Sequence, residues 1–268
     1  MVNKTMHDWL VSPIGQYMLQ WEETYFCELS EDIFGFHAVQ IGLTELDALK
    51  ENRVTHHWYT NPFLSTSDMI NPKAYNHHDT EKGLNGYSVP ISLAHNDLQL
   101  PFATESIDLV VLPHAFDLAS SPHQLLREIH RILIPEGQVI VSGFNPTSLW
   151  GLKQRWGKIT GKHFLPTDAA FISLSRIKDW FTLLGFETSR GYIGCYRPAC
   201  NSWKGLKRFA FMEKAGNRWW PYCGAVYLVC AIKQIPGMHL IGQAFNDETK
   251  SFFNTASVQN KILSKKNK

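Results

Sequence analysis

Apolar side chains at Ile14, Tyr17, Met18, Trp21, Tyr25 and Leu29 recur at helical spacing and predict a helix over residues 13–31, with Pro13 in its first turn. Gly35 breaks that pattern. Phe36 to Ile41 then reads as a short strand ending at Gly42, followed by a weak helix over 45–51 and a second strand over 54–59. Tyr87 to Leu93 alternates as a strand does. Ile107-Asp-Leu-Val-Val-Leu112 is a nearly continuous apolar run, the mark of a strand buried on both faces of a parallel sheet. Ser120-Ser121-Pro122 opens a helix whose Leu125, Leu126, Ile129, Ile132 and Leu133 share one face, while Arg127, Glu128, His130 and Arg131 lie elsewhere on the wheel. Pro135-Glu136-Gly137 ends it ahead of a strand over 138–142. A helix over 175–184, a strand from 186 to about 193 and a last strand over 222–232 complete the pattern.

Strand, helix and strand joined by short connections imply a right-handed crossover and a parallel sheet. The 268 residues suffice for one sizeable α/β domain, expected over residues 1–240 with its core at 36–235, and residues 241–268 read as a flexible basic tail. Residues 249–268 hold five Lys and no Asp or Glu, so residues 1–248 carry 21 basic and 24 acidic side chains. A body without a basic surplus argues against nucleic acid as a partner. No apolar run is long enough to span a bilayer, and the first ten residues, which include His7 and Asp8, lack the apolar core of a signal peptide. A cytoplasmic protein with reduced thiols is expected: the five Cys (27, 195, 200, 223 and 230) show no C-x-x-C spacing, and the pairs His56-His57 and His77-His78 lack metal-ligand spacing.

The segments Leu100-Pro101-Phe102, Ser106-Ile107-Asp108, His114, Leu125-Leu126-Arg127-Glu128 and Arg131-Ile-Leu-Ile-Pro135-Glu-Gly137 carry further information in their order and spacing. Across residues 93–144 they resemble the type 11 branch of the class I S-adenosylmethionine-dependent methyltransferases, including a bacterial branch of it with a degenerate glycine motif. The resemblance implies a Rossmann-like α/β fold: a mostly parallel seven-stranded sheet, helices on both faces and an antiparallel last strand. It also implies S-adenosylmethionine as cofactor and an unspecified small-molecule or macromolecular methyl acceptor as partner. Ligands of open parallel sheets sit beyond the carboxyl ends of the strands, where strand order reverses.

Carried onto this chain, the resemblance assigns the loop after the first strand, Gln40, Ile41, Gly42 and Leu43, to the cofactor. Of the family's G-x-G-x-G only Gly42 is kept, because Thr44 and Leu46 replace the later glycines and Gln40 replaces an acidic residue. The acidic residue expected after the second strand is also absent near Tyr59-Thr60-Asn61. Asn96, Asp97 and Leu98, just ahead of Leu100-Pro101-Phe102, are expected at the adenine, where an amide or carboxylate oxygen can accept from the amino group. His114 aligns with a pocket histidine after the fourth strand and is a candidate both for lining the pocket and for general base; Asp117, a second catalytic candidate, follows where the family often carries Glu.

Two further segments stand out. Gly143 to Leu152 is Gly-punctuated and aromatic and is expected to close over the pocket. Lys204 to Trp220 is basic and aromatic, and reads first as an inserted helix packing its aromatics on the sheet, with an anionic or aromatic substrate, RNA or a membrane surface as alternatives. The leading function is S-adenosylmethionine-dependent methyl transfer. The competing one is the same fold kept as a catalytically inactive binding or scaffold module.

Overall fold

Ser12 begins the first long helix by accepting from Gly15 N through its Oγ, and Pro13 follows where its missing N–H costs nothing. The computed structural model describes residues 6–43, 45–60, 99–161, 164–165 and 171–234. Those residues fall within one unit, 1–235. Helices α1 (Met6–Leu10) and α2 (Pro13–Ser30) lead into β1 (His37–Ile41) and β2 (His56–Thr60). After residue 98 come β3 (Ile107–Leu112), α3 (Ala115–Leu118), α4 (Pro122–Ile132) and β4 (Leu133–Phe144). Then follow α5 (Leu149–Thr160), α6 (Leu174–Leu183), β5 (Phe186–Gly194), α7 (Trp203–Arg208), α8 (Phe211–Trp219), a 3₁₀ turn at Pro221–Cys223 and β6 (Val226–Lys233).

The described strands form one six-stranded sheet in the order β2-β1-β3-β4-β6-β5. β1 to β4 pair in parallel, and β6 runs antiparallel between β4 and β5. The Rossmann-like α/β expectation holds, with six strands among the described residues rather than seven; the strand expected over 87–93 lies outside them. Strand alternation divides the core in two. Ala38, Leu109, Val111 and Ile140 face α1 and α2, whereas Val39, Ile41, Val110, Leu112, Val139 and Val141 face α4 and α6. That alternation makes the central strands apolar on both faces.

Polar straps join these layers. Glu128 and Arg131 of α4 meet through a paired contact of 2.8–3.2 Å. Glu128 also accepts from Leu100 N, and Arg131 donates to Leu100 O (3.1 Å) and Phe102 O (3.0 Å). The L-R-E-x-x-R pattern is therefore what pins L-P-F to the sheet. The hydrogen bonds from Arg131 hold the Glu128 carboxyl below its ordinary range. At the other end of β1, Asp108 accepts from Phe36 N and His37 N, both at 2.9 Å.

Three expectations are corrected. Residues 45–51 form turns, not a helix, because buried Gln40 holds this stretch by donating to Leu43 O and Leu46 O and accepting from Ala48 N. The last strand starts at Val226, since Tyr222 and Cys223 belong to the 3₁₀ turn. The stretch 204–220 forms two helices, and Phe211, Trp219 and Trp220 stand in solvent instead of packing on the sheet. The boundary expected between a domain ending at 240 and a tail over 241–268 lies outside the described residues.

Candidate active site

His114 follows β3 with φ +52, a left-handed conformation uncommon for a side chain with Cβ, as the N-cap of α3. The kink places its backbone N–H on Ser142 Oγ at the end of β4 (3.2 Å), and its ring lies against Phe144 with centroids 4.1 Å apart. Nδ1 is 2.9 Å from Asp117 Oδ2, one turn along α3. Asp117 Oδ2 also accepts from Phe144 N at 2.9 Å. Nε2 is 2.9 Å from Glu22 Oε1, which α2 brings over the sheet. The three side chains are 0–1% exposed.

This pairing has an electrostatic consequence. Burial opposes charge on the imidazole, but the Glu22 carboxylate and the contacts to Asp117 and Glu22 outweigh it and push the His114 pKa up to about 10. Burial raises the Asp117 carboxyl, against the opposing pull of His114. Both Glu22 oxygens, His114 Nε2 and Asp117 Oδ1 nevertheless lack a well-directed hydrogen bond. The Nε2 to Glu22 contact is thus an ion pair off the N–H direction. Tyr227 Oη, buried at the start of β6 and under the influence of Asp117, is a fifth such atom. Gly143 leaves room for it, since a Cβ there would collide with Oη.

A second, half-buried junction lies nearer the start of α2. Glu213 of α8 accepts from Tyr17 Oη (2.6 Å), Cys195 N (3.2 Å) and Tyr196 N (3.0 Å). Arg197 lies over the Tyr17 ring at 4.5 Å. Burial pushes both the Tyr17 hydroxyl and the Cys195 thiol up.

The first-loop residues divide by what their side chains do. Gly42 has φ +127, and a Cβ there would stand 2.5 Å from Pro113 O, so glycine lets the turn after β1 close on the end of β3. Leu43 N donates to that same carbonyl at 3.3 Å. Ile41, Leu43 and Leu46 are buried in the core, and Gln40 is occupied by the loop, so these positions have only backbone to offer a ligand. Asn96, Asp97, Leu98, Thr44 and His77-His78 lie outside the described residues. Asn145, after β4, donates to Tyr222 O (2.8 Å) and Gly224 O (2.9 Å), and Ser148 caps α5. Among the described residues no group of His, Cys, Asp and Glu is arranged to hold a metal.

Sequence reasoning named His114 and Asp117 as candidates, and the structure joins them; it missed Glu22, Glu213 and Tyr227. Glu22 had a legible signal: it stands four residues after Met18 and four before Phe26, an acid on the apolar face of its helix.

Residues 66–141 match the type 11 family model described as a methyltransferase domain. Over that stretch the chain is similar to the type 11 class I methyltransferases. Its match to the protein YafS of Escherichia coli K12 is 37% identical over 99 residues, 37% of this chain and 40% of that protein. Its match to the demethylmenaquinone methyltransferase of Lactobacillus johnsonii is 30% identical over 114 residues, 36% of this chain and 47% of that enzyme. The chain thus spans less than half the length of these curated relatives. Solved methyltransferase structures share the fold. One chain of the complex between the Haloferax volcanii Trm112 methyltransferase activator and a methyltransferase gives a TM-score of 0.56 at 18% identity, covering 88% of this chain and 100% of that one. The S-adenosylmethionine-dependent methyltransferase of Mesorhizobium loti gives 0.51 at 13% identity, covering 80% and 97%. The match to this family implies S-adenosylmethionine as the cofactor. No helix of the described residues is long and apolar enough to cross a membrane.

Proposed function

We propose that this protein transfers a methyl group from S-adenosylmethionine to a small-molecule or macromolecular acceptor. The observation that carries the reading is the buried cluster of His114, Asp117 and Glu22 at the carboxyl ends of β3 and β4, the edge where an open parallel sheet takes its ligands. The fit to the cofactor rests on two features. Gly42 keeps the turn after β1 tight against Pro113, and the side chains of Leu43 and Leu46 point into the core, leaving backbone at the strand ends. The backbone of Gln40, Ile41, Gly42 and Leu43 would hold it, together with Asn96, Asp97 and Leu98 on the adenine side.

When bound, the cofactor supplies an electrophilic sulfonium methyl, and the protein's part is mainly to position the acceptor in line with it. A neutral acceptor loses a proton as it gains the methyl. Glu22 and Asp117 hold His114 as an imidazolium, and Asp117 fixes the ring through Nδ1. The five free cysteines support a cytoplasmic location.

Calorimetric titration of ligand-stripped protein with S-adenosylmethionine and S-adenosylhomocysteine tests this reading. Micromolar affinity is expected, reduced at least tenfold by Gly42→Val with the fold retained. A folded protein that binds neither ligand at millimolar concentration would instead identify a non-catalytic version of the fold.

A further inference from the structure

Leu149, Leu152, Trp156 and Ile159 of α5 are spaced three, four and three residues apart and so share one face of that helix. All four are exposed, Trp156 and Ile159 by 69 and 85%. Scattered exposed apolar side chains are ordinary, but a continuous stripe is not. The stripe also continues beyond α5. Leu149, Leu152 and Arg155 line a surface depression with Pro146 and Cys223, which leads onto the 3₁₀ turn beside exposed Trp219, Trp220 and Tyr222. α7 borders the same region: Lys153 donates to Ala199 O, and Gly205 sits against Cys200. It adds exposed Trp203, with Phe211 following at the start of α8.

The charge of this region is one-sided. Arg155, Lys204, Lys207, Arg208, Lys214 and Arg218 are exposed. The only acid of α5, α7 and α8 is Glu213, which is turned inward onto Tyr17 and the backbone of Cys195 and Tyr196.

We propose that this face docks on an anionic phospholipid bilayer. Aliphatic side chains and tryptophans rimmed by lysine and arginine match a bilayer interface: apolar groups enter the acyl boundary, indoles sit at headgroup depth and cations meet lipid phosphates. Leu149, Leu152 and Ile159 have no counterpart on a nucleic acid, because an aliphatic chain neither stacks on a base as an aromatic ring does nor pairs with a phosphate. The docking is peripheral, since no helix of the described residues can span the membrane. Trp156 and Ile159 lie outside the residues proposed to hold the cofactor and outside the His114 cluster.

Co-sedimentation of the full chain with vesicles tests it. Vesicles of phosphatidylcholine with about one third phosphatidylglycerol should capture the protein, and phosphatidylcholine alone should capture at least about tenfold less. The double variant Trp156→Glu/Ile159→Glu, changed only at exposed positions, should keep its Tm and lose about tenfold or more of the vesicle binding. It retains the five Lys of residues 249–268, so capture by those lysines alone would leave its binding equal to that of the parent. Equal binding of variant and parent, equal capture by both vesicle types, or no capture by either would overturn the proposal. So would tight binding of single-stranded RNA by a protein that ignores anionic vesicles.

Discussion

Glu22 Oε1 lies 2.9 Å from His114 Nε2, and neither side chain is reached by solvent. One residue belongs to the N-terminal helix and the other to the turn after β3, so this contact ties α2 to the ligand edge of the sheet. Breaking a buried ion pair from one side leaves the other charge uncompensated. Glu22→Ala is therefore expected to destabilise the protein by about 3–5 kcal/mol in urea unfolding. Glu22→Gln, which keeps the shape, should cost less. A Gln variant that costs as much as the Ala variant would show that the lost charge, and not the lost shape, sets the destabilisation.

The same pair gives the protein a pH signature. The His114 pKa is raised in the folded state from 6.5 to about 10. A raised pKa means that the folded protein holds this proton more tightly than the unfolded chain. The stabilisation from His114 is thus complete below about pH 6.5 and is lost as pH rises toward 10. Melting curves between pH 6 and 10 should show Tm falling across that window, with a shallower fall in His114→Gln. Parallel slopes in the two proteins would show that His114 does not hold the proton.

Arg131 makes contacts that an ammonium cannot reproduce, to Glu128 and to the carbonyls of Leu100 and Phe102. Arg131→Lys should lower stability by about 1.5–3 kcal/mol. Because Leu100 follows directly on the segment expected at the adenine, the affinity for S-adenosylhomocysteine should fall as well. The check is to measure both quantities on the same preparation.

Tyr227 points the other way. Its hydroxyl is buried without a hydrogen-bond partner, a situation that costs about 1–3 kcal/mol. Tyr227→Phe keeps the ring and removes that cost, so Tm should stay level or rise. A clear drop in Tm would reveal a partner for Oη that the described geometry lacks.

The central elements were legible because local periodicity reports burial directly. The Ile107–Leu112 run and the Leu125, Leu126, Ile129, Ile132 face each sit on one element, and each occupies the core as its spacing predicted. Residues 45–51 misled for the opposite reason. Their weak helical spacing was overridden by one buried amide, Gln40, reaching across the loop. The aromatics of 203–220 misled because sequence hydrophobicity does not say which surface a side chain faces.

The sequence by itself determined the α/β class, the order of its elements, the family motif and the candidacy of His114 and Asp117, all of which depend on residues close together along the chain. Only the tertiary structure decided that Glu22 completes the buried cluster, that Glu213 turns inward, and that the apolar stripe of α5 and the tryptophans of α7 and α8 stand exposed. Those relationships join elements distant in sequence. They arise when helices settle on the sheet, and no local spacing along the chain records where that packing sets one side chain beside another.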